Sequence, residues 1–339
     1  MTELADDVLT SLMETVRLRG VGASEEINPF WRTQLETFRA LLNGQDEIAV
    51  DELRAALGYN PKGLPEGVTT NRDLPEWPLL MAAIEKNSVE GLWKGWAEHA
   101  GSLHFLNVQR VLDDYLAWAD AHGLHSGMNL ARLYWYWTKV RRVLAARGRS
   151  HPQVLLEIGA GSGQLAVMLA EAGLVRHYVI VDLPEMLLNV MLLVREKLPQ
   201  AQVRLNQAPD VSLAGPVFWL LETGNIRKTP DRCVDMALNI QSFMEMDPDV
   251  RDFYIEEIYR TAAPGALFYN VNRRQVAMTR RDGTPYESNP LLYPYRASDR
   301  VIEWQPDEFQ QSYRARVFES PFRSFAISRI AEIGPGPGD

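Results

Sequence analysis

The sequence predicts an α/β fold, a mostly parallel sheet with an antiparallel C-terminal edge, preceded by a helical N-terminal half. Three observations predict it. Up to about Gly148 the apolar residues recur at helical spacing, and no run alternates as a strand does. After Pro152, short β-branched runs alternate with helical ones, as in a sheet built with crossovers. A glycine-rich turn follows the first of those runs. At 339 residues and 46% hydrophobic, the chain can bury two cores. The expected division is a helical domain over 1–150, an α/β domain over 151–333 and a flexible Gly-Pro tail over 334–339.

In chain order, Pro61, Gly63, Pro65, Gly67, Pro75 and Pro78 predict a loop over 58–78. Leu103, Leu106, Val111, Leu112, Tyr115 and Leu116 predict a helix ending before Gly123. Leu130, Leu133, Tyr134, Trp137, Val140 and Val143 predict another. Strands are expected at Val154–Ile158, Tyr178–Val181, Val217–Leu221, Asp235–Ile240 and Ala266–Asn270, with Val203–Leu205 either a strand or part of a connection. Arg314–Phe318 and Phe325–Ile333, joined by a turn at Ser320 and Pro321, are expected to form the antiparallel edge.

Composition removes several classes of function. A net charge of -9 and a pI near 5.3 disfavour nucleic acid or an anionic membrane as the main partner. The single cysteine, Cys233, has no internal disulfide partner, and the first residues lack the pattern of an export signal, so a cytoplasmic protein is expected. The longest apolar stretch, Met186–Val194, is too short to span a bilayer. No Cys and His spacing resembles a zinc site.

The strongest signal is Val154-Leu155-Leu156-Glu157-Ile158-Gly159-Ala160-Gly161-Ser162-Gly163, a buried strand entering a glycine turn ahead of a helix. Glycines there let a ligand reach the backbone at the strand's C-terminal end. Asp182 ends the next strand, where a carboxylate accepts hydrogen bonds from ribose hydroxyls. Together they indicate an adenosine cofactor. The third glycine comes one place earlier than in the dinucleotide fingerprint G-x-G-x-x-G, which weakens NAD. Glu157 suits the ammonium and sulfonium of S-adenosylmethionine better than an anionic pyrophosphate. The plain alternative is that Glu157 only bonds the loop backbone and the glycines only permit tight packing.

The run Leu156–Gly163 resembles motif I of class I methyltransferases. Three further runs follow in order: Val179-Ile180-Val181-Asp182-Leu183-Pro184-Glu185, Asn239-Ile240-Gln241-Ser242-Phe243-Met244-Glu245-Met246 and Tyr269-Asn270-Val271-Asn272-Arg273. These resemble signatures of the putative sugar O-methyltransferase family over roughly residues 150–310. The resemblance implies a Rossmann-like class I methyltransferase sheet, S-adenosyl-L-methionine as cofactor and O-methylation of a small-molecule acceptor, a sugar or sugar-like hydroxyl. Methylation of carbon or nitrogen on another metabolite stays open, as do an NAD-dependent oxidoreductase and a non-catalytic scaffold.

In an open parallel sheet the ligand crevice lies beyond the strands' C-terminal ends. Glu157, Gly159, Gly161, Gly163 and Asp182 are therefore expected on the cofactor's amino acid and ribose, Leu183 on the adenine face, and Glu222 and Thr223 at the adenine edge. Asn239, Gln241 and Glu245 face the methyl group. Glu245, the one ionisable member of that trio, is the first choice for a general base, and His104 the second. His99 shares the helical half with His104, whereas His122 and His125 read as solvent-facing turn residues. Asp247 and Asp249 make magnesium conceivable, but Asp247-Pro248 is better read as a helix start, so metal is not favoured. Tyr134, Trp135, Tyr136 and Trp137 lie close enough to the first strand to wall the pocket, although core packing explains most of them. Asn272, Arg273, Arg274, Tyr286, Asn289, Tyr293, Tyr295 and Arg296 form the expected acceptor segment, in a loop-rich stretch to Gln311. A homodimer is possible.

Overall fold

A computed structural model describes residues 2–19, 35, 70, 108–122, 128–148, 154–310 and 326–335. The chain forms two compact units. One holds the sheet together with the described residues before 60, and the other holds residues 60–150 and 306–326.

In the sheet unit, α1 (Thr2–Arg19) precedes β1 (Val154–Ile158), α4 (Gln164–Glu171), β2 (His177–Asp182), α5 (Pro184–Lys197), β3 (Gln202–Leu205), β4 (Val217–Glu222) and β5 (Val234–Ile240). Then come α6 (Pro248–Thr261), β6 (Ala262–Arg273), β7 (Val276–Thr279), β8 (Pro285–Ser288), β9 (Arg300–Pro306) and β10 (Ala326–Glu332). Eight strands make one sheet in the order β3-β4-β2-β1-β5-β6-β10-β9, and β7 pairs with β8 in an antiparallel hairpin. From β3 to β6 every pairing is parallel. Ile333, just past β10, donates to Ala266 near the start of β6, so β10 runs antiparallel to β6. Ser328 bonds Glu303 and Arg300 bonds Glu332, which sets β9 antiparallel to β10. This is the Rossmann-like sheet expected, with its strand order reversing between β1 and β5.

Burial explains why the inner strands read as continuous apolar runs. β1 is buried at all five positions, and β2 and β4 at all but the last. On one face Val154, Leu156, Ile158, Val179, Val181, Trp219 and Leu221 pack with Tyr254, Ile255 and Ile258 of α6. Burying each such aliphatic side chain contributes about 1.5–3 kcal/mol. Pro184 opens α5 and Pro248 opens α6, where a missing N–H costs nothing.

Two expectations need correction. α1 was placed with the helical half, yet it packs on α5 and β3, burying Leu12 and Val16; the boundary at residue 150 therefore fails for this segment. The partner of β10 is Arg300–Pro306, inside the stretch read as loop. Its Val301 and Trp304 are exposed, so the edge strand lacks the burial pattern that marks a strand in sequence. The predicted strand Arg314–Phe318 and the loop over 58–78 lie outside the described residues, apart from Thr70. β6 runs further than expected, through Asn272 to Arg273.

In the second unit, α2 (Val108–Ala121) and α3 (Met128–Ala146) pair through an aromatic cluster. Tyr134 lies against Tyr115, Trp118 and Trp137 with ring centroids 4.9–5.5 Å apart. Trp135 donates to Asp307 at 3.2 Å, and buried Lys139 pairs with Glu308 at 2.9 Å. No described helix is long and apolar enough to cross a membrane.

Candidate functional site

Alternation along β1 sends Val154, Leu156 and Ile158 to the α6 face and Leu155 and Glu157 to the other. Glu157 is thus a carboxylate inside a central strand, 2% exposed. Tyr178 on β2 meets it, its hydroxyl donating to Oε2 at 2.7 Å while its ring stacks on Phe218. Burial pushes the Glu157 carboxyl up to about 7; the Tyr178 bond opposes the rise and the Asp182 charge adds to it.

The turn after β1 uses its glycines differently. Gly159 has φ +75°, and an added Cβ would collide with Ser242, whose hydroxyl donates to the Ile158 carbonyl at 2.9 Å. Gly161 has φ +55°, but an added Cβ there would meet no atom of the described residues within 4 Å. Among those residues the top of the turn is open space. Gly163 precedes α4 and lies against α5, where an added Cβ would sit 2.8 Å from Val190 Cγ2.

Asp182 fixes this turn to the end of β2. Its Oδ2 accepts the Gly161 N–H at 2.9 Å and its Oδ1 the Leu183 N–H at 2.8 Å. Burial raises its carboxyl to about 7 against the pull of those amides. Each oxygen keeps a lone pair for a ligand hydroxyl. Leu183 packs beside Leu35 and Met186.

Glu222 is held by Asn206, which stands at φ +52°. Asn206 Nδ2 donates to Glu222 Oε1 at 2.8 Å, and its Oδ1 accepts the Glu222 N–H and Asn225 Nδ2. The Glu222 carboxylate therefore fastens two strand ends, with its second oxygen left for a ligand. Thr223 opens a 3₁₀ turn and accepts the Tyr254 hydroxyl on its carbonyl at 3.1 Å. Burial, with the nearby Asp182 charge, holds the ionisation of that hydroxyl above its ordinary value.

Beyond β5 and β6 the structure changes the roles expected. Asn239 is fully buried. Its Nδ2 donates to Ile158 O at 2.9 Å and to Ser242, and its Oδ1 accepts Phe243 N–H and Asn272 Nδ2. Asn272, equally buried, also bonds Asn270 and accepts the Met244 N–H at 3.0 Å. Both amides are thus held by protein partners inside the strands. Asn270 continues the chain to the Tyr295 hydroxyl. Tyr295 lies under Arg329, 3.9 Å from ring centroid to guanidinium, and Tyr293 is buried against Arg251 and bonded to Ser288. Tyr295 ties the 289–299 loop to β6 and β10, and Tyr293 ties it to β8 and α6. Gln241 follows β5 at φ +62°, a strained position for a non-glycine residue, and its N–H donates to Val271 at 2.7 Å.

The turn carrying Glu245 (Phe243–Glu245) therefore hangs from Asn239 and Asn272, with Glu245 half-buried at its end. Arg273 N–H approaches Met244 Sδ at 3.5 Å, and Arg273 itself is half-buried where β6 ends. Asp247 precedes Pro248 at the start of α6, but its carboxylate pairs with Arg281 at 2.9 Å instead of capping the helix. Asp249 pairs with Arg281 as well. Among the described residues no group of three or more His, Cys, Asp or Glu is placed to hold a metal ion. His99, His104 and His125 lie outside the described residues. His122 stacks on Trp118 and bonds its carbonyl. Tyr134 belongs to the other unit, where its ring is enclosed by aromatics.

Sequence reasoning missed Tyr178, Asn206, Ser242, Asn270 and Tyr254. Polar residues at 270 and 272 in a buried strand were a usable signal for a buried network. The others meet partners far away in sequence that only the folded chain brings together.

The chain matches no family model and no curated protein. Solved structures do resemble parts of it. The cyclase SpnF has 16% identity and a TM-score of 0.41, covering 58% of this chain and 82% of its own. The Burkholderia thailandensis 1,6-didemethyltoxoflavin-N1-methyltransferase, solved with S-adenosylhomocysteine, has 15% identity and a TM-score of 0.39, covering 81% of this chain and 95% of its own. The Haemonchus contortus phosphoethanolamine N-methyltransferase 2, solved with S-adenosyl-L-methionine, has 14% identity and a TM-score of 0.36 over 55% of this chain; the chain spans 49% of that enzyme's length. Similarity at this level assigns no residue a role.

Proposed function

We propose that this chain is an S-adenosylmethionine-dependent methyltransferase acting on a small molecule, with a sugar-like hydroxyl as the acceptor that the sequence motifs favour. The observation that carries the reading is the open space over Gly161, set between a strand carboxylate and the ribose-side carboxylate of Asp182. The residues fit this cofactor. Glu157 has Oε2 bonded to Tyr178 and offers its other oxygen to an ammonium, Gly161 lets the ligand reach the backbone, and Asp182 retains acceptor capacity for ribose hydroxyls. Asn206 holds Glu222 where the adenine edge would reach its second oxygen, beside Leu183.

The cofactor supplies a methyl group on a cationic sulfur that is already a good leaving group. The protein's work is then to hold the acceptor in line and exclude water. Asn239 and Ser242 fix the carbonyl that starts the glycine turn, and Asn239 with Asn272 fixes the turn that carries Glu245, so one buried network sets both sides of the reaction. Glu245 takes the proton of an alcohol acceptor. Incubating the protein with a labelled methyl donor and a panel of sugars, carboxylates and amines, read by mass spectrometry, tests the reading. A single-methyl gain on a hydroxyl supports it; a gain on nitrogen or carbon replaces the acceptor assignment; binding of the cofactor with no transfer to any member refutes an enzyme of this type.

A further inference from the structure

Among the described residues, Tyr178 makes the one side-chain hydrogen bond to Glu157, the buried glutamate of β1. Its hydroxyl donates to Glu157 Oε2 at 2.7 Å, from a ring held flat against Phe218, centroids 5.9 Å apart and planes 9° from parallel. The register explains the meeting: Leu155 pairs with Tyr178 and Glu157 with Ile180, so the tyrosine stands one diagonal away on the same face. Both side chains are buried. A carboxylate in that setting needs a donor to stay ionised, and a donor fixed by stacking also fixes which oxygen it takes.

We infer that Tyr178 is a positioning residue that orients Glu157 and keeps it ionised, so that Oε1 is presented to the cationic amino-acid end of the cofactor. This rests on the S-adenosylmethionine reading above. Around Glu157, among the described residues, stand Asp182, whose charge raises it, Glu185, whose charge in turn raises Asp182, Tyr254, which feels the Asp182 charge, and Tyr178, whose proton stays on oxygen because burial and Glu157 hold its ionisation far above the ordinary range. Binding an ammonium requires ionised Glu157. Without the Tyr178 hydroxyl, burial acts unopposed and Glu157 ionises at higher pH.

The test is calorimetric titration of S-adenosylhomocysteine, which carries the same amino-acid end, into the intact protein and its variants between pH 6 and 8.5. Tyr178→Phe keeps the ring and its stack. It should weaken binding about tenfold to a hundredfold at pH 6.5, by the range for a hydrogen bond to a charged group, and progressively less toward pH 8.5. A purely structural tyrosine would weaken binding equally at every pH. In a Glu157→Gln background the same substitution should change affinity little. If the parent protein binds but Tyr178→Phe retains its affinity and pH profile, the inference is wrong and the cofactor reading stands. If the parent does not bind, the cofactor reading itself fails. Loss of equal size at all pH values, or an undiminished effect in the Glu157→Gln background, also overturns the role assigned to Tyr178.

Discussion

Replacing the first two loop glycines by alanine separates fold from ligand space. Both stand at positive φ, +75° at Gly159 and +55° at Gly161, which costs an alanine about 1–2 kcal/mol. At Gly159 the added methyl also drives into Ser242. The serine must move, losing its bond to Ile158 O, about 1 kcal/mol, with overpacking of about 1–3 kcal/mol besides. Gly159→Ala should therefore lose about 3–6 kcal/mol of stability, and adding Ser242→Gly should recover the overpacking part. Gly161→Ala meets no atom of the described residues within 4 Å, so it should lose only the backbone term. Its methyl occupies the space assigned to the cofactor, however, and binding should weaken by about a hundredfold. Denaturant titration measures the first quantity and S-adenosylhomocysteine calorimetry the second. A Gly161→Ala protein that binds as tightly as the parent would refute the placement of the ligand, and equal destabilisation by both alanines would refute the clash with Ser242.

Three further outcomes follow from the same geometry. Glu157 and Asp182 are both raised to about 7 by burial, from ordinary values near 4, so the folded protein holds protons that the unfolded chain has lost; without ligand, stability should fall as pH rises from about 4, through the folded value, to about 8, by about 3 kcal/mol for Glu157 alone. Glu157→Gln should flatten that slope in denaturation curves, and a parent whose slope from these groups ran upward would contradict the burial argument. Asn239→Asp puts an acceptor against the Ile158 carbonyl and removes two donated bonds, so it should cost about 2–4 kcal/mol and weaken cofactor binding; a variant within 0.5 kcal/mol of the parent, roughly the scatter of surface substitutions, would remove the network from the account. Glu245→Gln should leave cofactor affinity intact while lowering turnover on an alcohol acceptor by a factor on the order of 100, whereas near-normal turnover would assign the proton to another group.

The sheet was legible in sequence where strands are buried on both faces. β1, β2, β4, β5 and Ala266–Tyr269 of β6 are largely apolar runs that no exposed element would carry, and the glycine turn marks itself by the residues a side chain would exclude. Edge elements were not legible. β9 alternates too weakly, with Trp304 and Val301 facing solvent, and α1 carries no signal of which neighbour it will join. The site divided along the same line. Glu157, Gly161 and Asp182 follow from local pattern, since each sits at a strand end or in the turn. Asn239, Asn272, Tyr293 and Tyr295 carry ligand-like chemistry but are turned inward, because β5 and β6 are paired by long-range register that puts Asn239 beside Asn270. Tyr178 and Ser242 gain their meaning only from the atoms opposite them, which a linear reading cannot place.

The central claim is that the space above Gly161 receives the adenosine and amino-acid ends of S-adenosylmethionine. Parallel calorimetric titrations with S-adenosylhomocysteine and with NAD test it most directly. Saturable binding of the first, weakened in Gly161→Ala, with no heat from the second is the predicted result; binding of NAD in place of S-adenosylhomocysteine, or of neither, would contradict the account.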